Sequence, residues 1–203
     1  MRLTQLFEAR LQEEQSGLHW VADGSFFSYS SLLQKARRQA QTLTQMGLTG
    51  KRILLVGDNS PQLVLAFLAC WWAGAVPAAV APPARLQAEG GYAWLLQGAA
   101  ETSEASCGFC DPKILNRCSE ASLASGWHPL PIPESTGDTT LCQHSDNELA
   151  YLQFSSGTTL TPKATPLSHR NILSNLEAIA SQHPGGRQGH SCVSWLPLYH
   201  DMG

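Results

Sequence analysis

One short segment, rich in hydroxyl groups, carries the residues best suited to chemistry. It follows a strand predicted over residues 148–154. Its sequence is Ser155-Ser156-Gly157-Thr158-Thr159-Leu160-Thr161-Pro162-Lys163. Backbone N–H groups that converge around a glycine, short hydroxyl donors and one mobile cation are what a bound polyphosphate needs. Residues 155–163, which we call the phosphate loop, are therefore a candidate for binding a polyphosphate.

The spacing in the phosphate loop differs from that of the Walker loop, which has two glycines and a Lys-Ser or Lys-Thr pair. Loops rich in serine and threonine usually have no ligand, so composition alone favours a plain connecting loop over a phosphate site. No lysine or arginine occurs from Cys118 to Pro162, and Lys163 is the first cation after Arg117. This isolated cation at the end of the loop makes the loop a candidate for binding an anion.

Strands and helices alternate ahead of the phosphate loop. A buried type of strand is predicted at residues 52–57, a helix at 61–73 and a second apolar strand at 75–81. Ser60 suits the N-cap of that helix, and Gly74 suits its end. Strand, helix and strand together have the length of one crossover unit. Repeated units of this kind build an α/β fold, in which helices cover both faces of a parallel sheet.

Other elements are predicted on the same grounds of hydrophobic periodicity. Helices are expected at 3–14, 29–46, 91–100 and 170–181, and strands at 18–22, 105–110 and 191–195, with mostly loop at 119–146. Ser168 suits the N-cap of the helix at 170–181, and His169 beside it either packs in the core or contacts a ligand. The apolar stripe of that helix is expected to face inward. It consists of Ile172, Leu173, Leu176, Ile179 and Ala180.

Composition excludes several classes of function. The chain has 203 residues, with 13 lysines and arginines, 16 aspartates and glutamates and a formal charge of −3. Since binding a polyanion requires a basic surface, nucleic acid is not an expected partner. The apolar run at 63–76 is shorter than the roughly 20 residues of a membrane-spanning helix. No secretory signal is recognisable at the start, so a cytoplasmic location is expected.

The cysteines offer a competing site. Cys107 and Cys110, with Cys118 and His128, supply ligand types that zinc accepts. However, the pattern has one thiol pair instead of two and no nearby histidine partner. Ordinary free thiols are therefore expected, and no metal site is predicted.

Three ordered motifs give a specific resemblance. They are the phosphate loop, Leu167-Ser168-His169-Arg170-Asn171-Ile172 and Trp195-Leu196-Pro197-Leu198-Tyr199-His200-Asp201-Met202-Gly203. Together they resemble the adenylate-forming superfamily of acyl-CoA synthetases, peptide-synthetase adenylation domains and luciferases. The last motif is most similar to the fatty acyl-AMP ligase branch. The resemblance covers the whole chain, but only the beginning of the family's usual length.

This resemblance implies an ATP-dependent activation of a carboxylic acid. The carboxylate attacks the α-phosphorus of ATP, pyrophosphate leaves and an acyl-adenylate remains. The resemblance places Ser155, Ser156, Gly157, Thr158, Thr159 and Lys163 around the β- and γ-phosphates. Lys163 lowers the barrier there together with Mg²⁺, whose ligands have no counterpart in residues 1–203. His200 matches a residue that lines the acyl pocket, so substrate positioning is its expected role.

Two positions depart from the family pattern. Leu160 replaces a glycine that members of the fatty acyl branch often lack as well. Ala164 stands where a glycine usually follows the lysine. If residue 164 needed a positive φ, the alanine methyl group would cost about 1 kcal/mol or more.

The resemblance also implies a domain organisation, a substrate and an acceptor. Residues 1–203 would be an incomplete N-terminal AMP-binding domain, without the C-terminal half of the large domain or the small C-terminal domain. Such a fragment is expected to be inactive alone. The parent enzyme would activate a fatty or related acid and pass it to a carrier-protein thiol or to CoA. The alternative is a naturally truncated chain that serves as a binding or interaction module.

Overall fold

The computed structural model describes residues 3–83, 91–137, 148–155, 162–182 and 191–200. Helices in these ranges are α1 (Leu3–Glu8), α2 (Tyr29–Gln45), α3 (Pro61–Ala73), α4 (Gly91–Ser103), α5 (Leu115–Cys118) and α6 (His169–Gln182). Strands are β1 (Gly17–Trp20), β2 (Ser25–Ser28), β3 (Arg52–Val56), β4 (Val76–Val80), β5 (Cys107–Cys110), β6 (Trp127–Pro129), β7 (Leu149–Ser155) and β8 (Lys163–Ser168). Of the described helices, none is long and apolar enough to cross a membrane.

A six-stranded sheet forms the centre of the fold. Its strand order is β6-β5-β3-β4-β7-β8. Neighbours from β6 to β7 are parallel, and β8 is antiparallel to β7 at the edge. β1 and β2 form a separate antiparallel pair. The predicted α/β class with a parallel sheet is confirmed, with one antiparallel strand added.

Helices cover both faces of this sheet. Side chains alternate along a strand, so consecutive residues of β3 enter different cores. Ile53 and Leu55 pack with α2 and α3, and we call this side the α3 face. Leu54 and Val56 pack with α4 and α5 on the opposite side, the α4 face. All four side chains are fully buried, which makes β3 a central strand of the core.

The β3-α3-β4 unit has the helix ends that the sequence predicts. The hydroxyl of Ser60 accepts a hydrogen bond from the Leu63 N–H at 3.1 Å, which caps the first turn of α3. Gly74 ends the helix with a φ of 75°, the left-handed conformation that glycine adopts most easily. α3 is therefore fixed at both ends between two parallel strands.

Several regions differ from the sequence prediction. The helix predicted at 3–14 is too long, since α1 ends at Glu8, and β2 lies where no strand is predicted. β6 lies within the stretch predicted as mostly loop, and β8 follows the phosphate loop where no strand is predicted. β6 pairs with β5 where Gly108 faces Trp127, and a Cβ at position 108 would collide with the indole ring. The strand predicted at 191–195 is wrong, since these residues have no regular secondary structure.

Only part of the α6 stripe is buried. The N-cap prediction is confirmed, because the Ser168 hydroxyl accepts a hydrogen bond from the Asn171 N–H at 3.2 Å. His169 is 2% exposed, which favours the packing interpretation of this residue. Leu173 joins a small cluster with residues of α1 and β7, but Leu176 and Ile179 are 45% and 53% exposed. The expectation that the whole stripe faces inward is wrong for these two residues.

Candidate functional site

The candidate site lies where the parallel strands end. β3, β4 and β7 run in the same direction, so their last residues share one edge of the sheet, which we call the carboxyl edge. Ligands of open α/β sheets bind outside this edge. Only β4 separates β3 from β7, so the ends of these two strands lie about 10 Å apart, at two strand spacings. Two segments singled out by the sequence are each attached at this edge.

The first segment is the phosphate loop. Ser155 ends β7, Lys163 begins β8, and the two residues are Cα partners in the antiparallel ladder. Both ends of the loop are thus paired at the carboxyl edge. Ser156, Gly157, Thr158 and Thr159 lie outside the described residues, as does the side chain of Ser155. Their predicted contacts with phosphate remain predictions.

Lys163 has the exposure that a phosphate-binding cation requires. It is exposed to solvent at the start of β8. The next residue, Ala164, packs against the core on the α4 face. Because side chains alternate along a strand, the side chain of Lys163 leaves the sheet on the α3 face. Its ammonium group is available to a ligand on that side of the carboxyl edge.

Ala164 fits its position without strain. It pairs with Phe154 in the β7-β8 ladder, where the backbone is extended. Its methyl group packs against buried residues of the α4 face. A positive φ is not needed at this position, so the family glycine can be replaced here without a backbone penalty.

The second segment is Leu196–His200, which we call the 196–200 segment. Asn59, three residues after the end of β3, holds it by two hydrogen bonds. The side-chain nitrogen of Asn59 donates to the Leu196 carbonyl at 2.7 Å, and its side-chain oxygen accepts from the Leu198 N–H at 2.7 Å. Leu198 also packs against the core of the α3 face. The 196–200 segment is therefore attached to the carboxyl end of β3.

His200 closes a turn that follows this attachment. Its backbone N–H donates to the carbonyl of Pro197 at 3.0 Å. The His200 residue is exposed, while the preceding residues of the segment are half-buried. Trp195, which directly precedes this segment, is 84% exposed. Asp201, Met202 and Gly203 lie outside the described residues.

The cysteines do not assemble the competing zinc site. Cys107 belongs to the core of the α3 face and Cys110 to that of the α4 face, so the sheet separates the two thiols. Cys118 shares a hydrogen bond with Cys110, and this bond together with burial raises the pKa of Cys118. The ring of His128 packs against that of Phe109 in a tilted arrangement, with ring centroids 5.2 Å apart, on the side of Cys107. Four ligands split between two faces cannot surround one metal ion.

Sequence reasoning did not assign a function to Asn59. One sequence feature could identify this residue: Asn59 comes directly after a buried parallel strand, and polar residues there face the ligand-binding edge of α/β sheets. Its partners lie 137 and 139 residues further along the chain, and no local pattern identifies them.

The AMP-binding enzyme family matches residues 7–203. The chain therefore belongs to this family, which confirms the resemblance drawn from the three motifs. The match extends across both segments of the candidate site.

Individual relatives and solved structures agree with this family assignment. A putative acyl-CoA synthetase of Caulobacter vibrioides is 31% identical over 180 residues, which are 86% of this chain and 31% of that protein. A solved structure from a study of fatty acyl-adenylate ligases of E. coli and L. pneumophila is 28% identical, with a TM-score of 0.86, and the match covers 100% of this chain and 38% of that one. A fatty acyl-adenylate ligase of L. pneumophila, in complex with acyl adenylate and pyrophosphate, is 27% identical with a TM-score of 0.72 and coverage of 88% and 31%. The chain thus spans 31% to 38% of the length of these proteins.

Proposed function

We propose that this chain belongs to an ATP-dependent ligase that activates a fatty or related carboxylic acid as an acyl-adenylate. The observation that carries the proposal is that the paired ends of the phosphate loop and the 196–200 segment meet the same carboxyl edge. A site for ATP and a site for an acid must adjoin for the reaction to occur. Family membership and the fatty acyl-adenylate ligases among the similar structures support this reaction.

The proposed role of the phosphate loop is to stabilise the leaving pyrophosphate. As the acid carboxylate attacks the α-phosphorus, negative charge builds on the β- and γ-phosphates. Hydrogen-bond donors already placed around that charge lower the barrier. We assign this role to Lys163 and to the loop residues Ser155, Ser156, Gly157, Thr158 and Thr159. The solvent exposure of Lys163 supports it.

Magnesium is the ion that such a reaction uses to neutralise phosphate charge. Among the described residues, no group of three histidine, cysteine, aspartate or glutamate side chains is close enough to hold a metal ion. We therefore assign Mg²⁺ no ligands in this part of the protein. No step proposed for the residues of this chain depends on it.

The proposed role of His200 is to position the acid. It lies in a segment that is fixed to the carboxyl end of β3 and packed on the α3 face, the side that Lys163 also faces. Positioning requires a fixed backbone and an accessible side chain, and His200 has both. The acceptor that we propose for the activated acid is a carrier-protein thiol, with CoA as the alternative. The putative acyl-CoA synthetase among the relatives supports CoA as the alternative acceptor.

We further propose that residues 1–203 are an incomplete N-terminal AMP-binding domain. The matched relatives are about three times as long as the region that they share with this chain, which supports this division. Acid activation would then require the rest of the large domain and a small C-terminal domain. The 203 residues alone would be inactive.

Acyl-adenylate formation tests the proposal. The protein would be captured from its native source with an antibody against residues 1–203, its mass measured, and the protein incubated with ATP, Mg²⁺ and fatty acids of several chain lengths. We expect a mass well above 22.0 kDa and an acyl-adenylate detected by mass spectrometry. Failure to form an acyl-adenylate from any acid would contradict the proposed reaction. Formation by the isolated 203-residue chain would contradict its assignment as an incomplete domain.

A further inference from the structure

The attachment made by Asn59 is a pair of hydrogen bonds to one short stretch of backbone. Both hydrogen bonds have a length of 2.7 Å. They involve the residues before and after Pro197, which itself has no N–H group to donate. Since a backbone carbonyl only accepts and a backbone N–H only donates, the two partners also fix which end of the amide is oxygen and which is nitrogen. The side chain of Asn59 therefore has one orientation that satisfies both bonds.

A carboxamide is the chemical group that this contact requires. It presents a donor and an acceptor side by side. An aspartate would offer only acceptors, and its charge would face the Leu196 carbonyl oxygen. A serine or threonine side chain is shorter, and its one hydroxyl oxygen would have to bond to backbone groups on both sides of Pro197.

Asn59 is itself held on both sides. β3, whose last four residues are fully buried, ends at Val56. Ser60, the next residue after Asn59, caps α3. A side chain held between a central strand and a capped helix loses little further freedom when it binds, so its two hydrogen bonds can fix a segment that lacks regular structure.

The attachment extends to His200 through the turn. Leu198 is the residue bonded to the oxygen of Asn59, and it follows Pro197, whose carbonyl accepts the N–H of His200. The packing of Leu198 against the α3 face adds an apolar contact at the same point. The position of the His200 backbone is thus set by Asn59, two residues away from the bonded group.

We propose that Asn59 is a positioning residue for the acid substrate, which holds the 196–200 segment so that His200 borders the site at the carboxyl edge. This inference rests on the proposed function, since it presumes that His200 faces the acid. Asn59 acts through the segment and does not itself touch the reacting atoms.

Amide hydrogen exchange tests the contact directly in the protein expressed from its native gene. Asn59→Leu keeps the branched shape of the side chain and removes both hydrogen-bonding groups, and Asn59→Ala is a second variant in case leucine does not fit. We expect the Leu198 amide to exchange at least about fivefold faster in either variant, as follows from loss of a hydrogen bond. Thr42→Val is the matched control, because it removes a 2.7 Å bond from Thr42 to the Pro133 carbonyl, which likewise joins distant parts of the chain. An unchanged Leu198 exchange rate in the Asn59 variants would overturn the contact.

Steady-state kinetics of the protein expressed from its native gene test the role. In Asn59→Leu we expect the KM for the acid to rise about fivefold while the KM for ATP stays unchanged. A merely structural role would lower kcat in proportion to the folded fraction and leave both KM values alone. An unchanged acid KM in an active variant would overturn the role of Asn59 alone. Absence of acid-dependent activity in the unsubstituted protein would instead overturn the proposed function.

Discussion

Lys163 is the residue on which the proposed ATP site depends most. It is exposed at the start of β8, and its side chain leaves the sheet on the α3 face. We predict that Lys163→Ala in the complete protein weakens the use of ATP by about 1 to 3 kcal/mol, because the phosphates lose a charged hydrogen-bond partner. The measurement is kcat/KM for ATP at saturating acid.

Lys51 provides the control for this substitution. It is also exposed, but it precedes β3 and so lies at the amino edge, the opposite end of the sheet. Lys51→Ala should leave kcat/KM for ATP unchanged. Equal losses in both variants would show a general effect of charge, and no loss in Lys163→Ala would remove this residue from the site.

At the scale of single residues, the sequence identifies groups by chemical type and misses those whose role depends on distant contacts. The phosphate loop is recognisable because its hydroxyl groups, glycine and lysine are adjacent in sequence. The role of Asn59 depends on backbone groups that only the folded chain brings close. Trp195 has a large apolar side chain, yet it lies on the surface together with residues 191–194.

α6 gives the clearest prediction at the scale of elements. Leu173 is 7% exposed and packs with Leu3 and Ala150, whereas Leu176, one turn further, is 45% exposed. We predict that Leu173→Ala lowers the free energy of unfolding by about 2 kcal/mol or more, because it opens a cavity in a packed cluster. Leu176→Ala, the matched control on the same helix, should cost less than about 1 kcal/mol.

Urea unfolding of the protein expressed from its native gene measures both values. A larger loss for Leu176→Ala than for Leu173→Ala would mean that α6 is rotated relative to the position described above. Equal losses would mean that the helix packs along its whole stripe.

Elements with strong local features follow the sequence closely. α2 and α3 have long runs of suitable side chains and serine N-caps, and their structural bounds agree with the predicted ones to within one residue. β6 and β8 lack such features and lie at the two edges of the sheet: β6 has only three residues, and β8 contains Pro166, which is unfavourable in a strand. Their formation depends on the neighbouring strand, as the contact between Gly108 and Trp127 illustrates.

The response of the whole molecule to alkaline pH follows from its buried acids. Burial raises the pKa of the Cys107 thiol from 9.0 to about 12 and that of the Tyr151 phenol from 10.0 to about 12. Between these ordinary and raised values the unfolded chain has lost protons that the folded chain keeps. Stability is therefore complete below about pH 9 and decreases as the pH rises toward about 12.

Urea midpoints between about pH 8 and about pH 11 check this dependence. We predict a falling midpoint, with a smaller fall in Tyr151→Phe, which removes one of the titrating groups. A midpoint that is constant or rises over this interval would show that these groups are not buried in the folded protein.

The order of the strands is the feature of the whole molecule that the sequence did not provide. The sequence predicts an α/β fold, but not that β7 lies beside β4 while β5 lies on the other side of β3. This order brings the ends of β3 and β7 close together, although almost 100 residues separate them in the chain. The candidate site thus arises from the topology of the sheet as much as from its motifs.

The exchange of labelled pyrophosphate into ATP tests the central claim, acid activation, most directly. It reports the reversible formation of an acyl-adenylate and does not depend on the identity of the acceptor. With the complete native protein, we predict exchange that requires a fatty or related acid and is strongly reduced in Lys163→Ala. Exchange that proceeds equally well without any acid, or no exchange with any acid tested, would contradict the account.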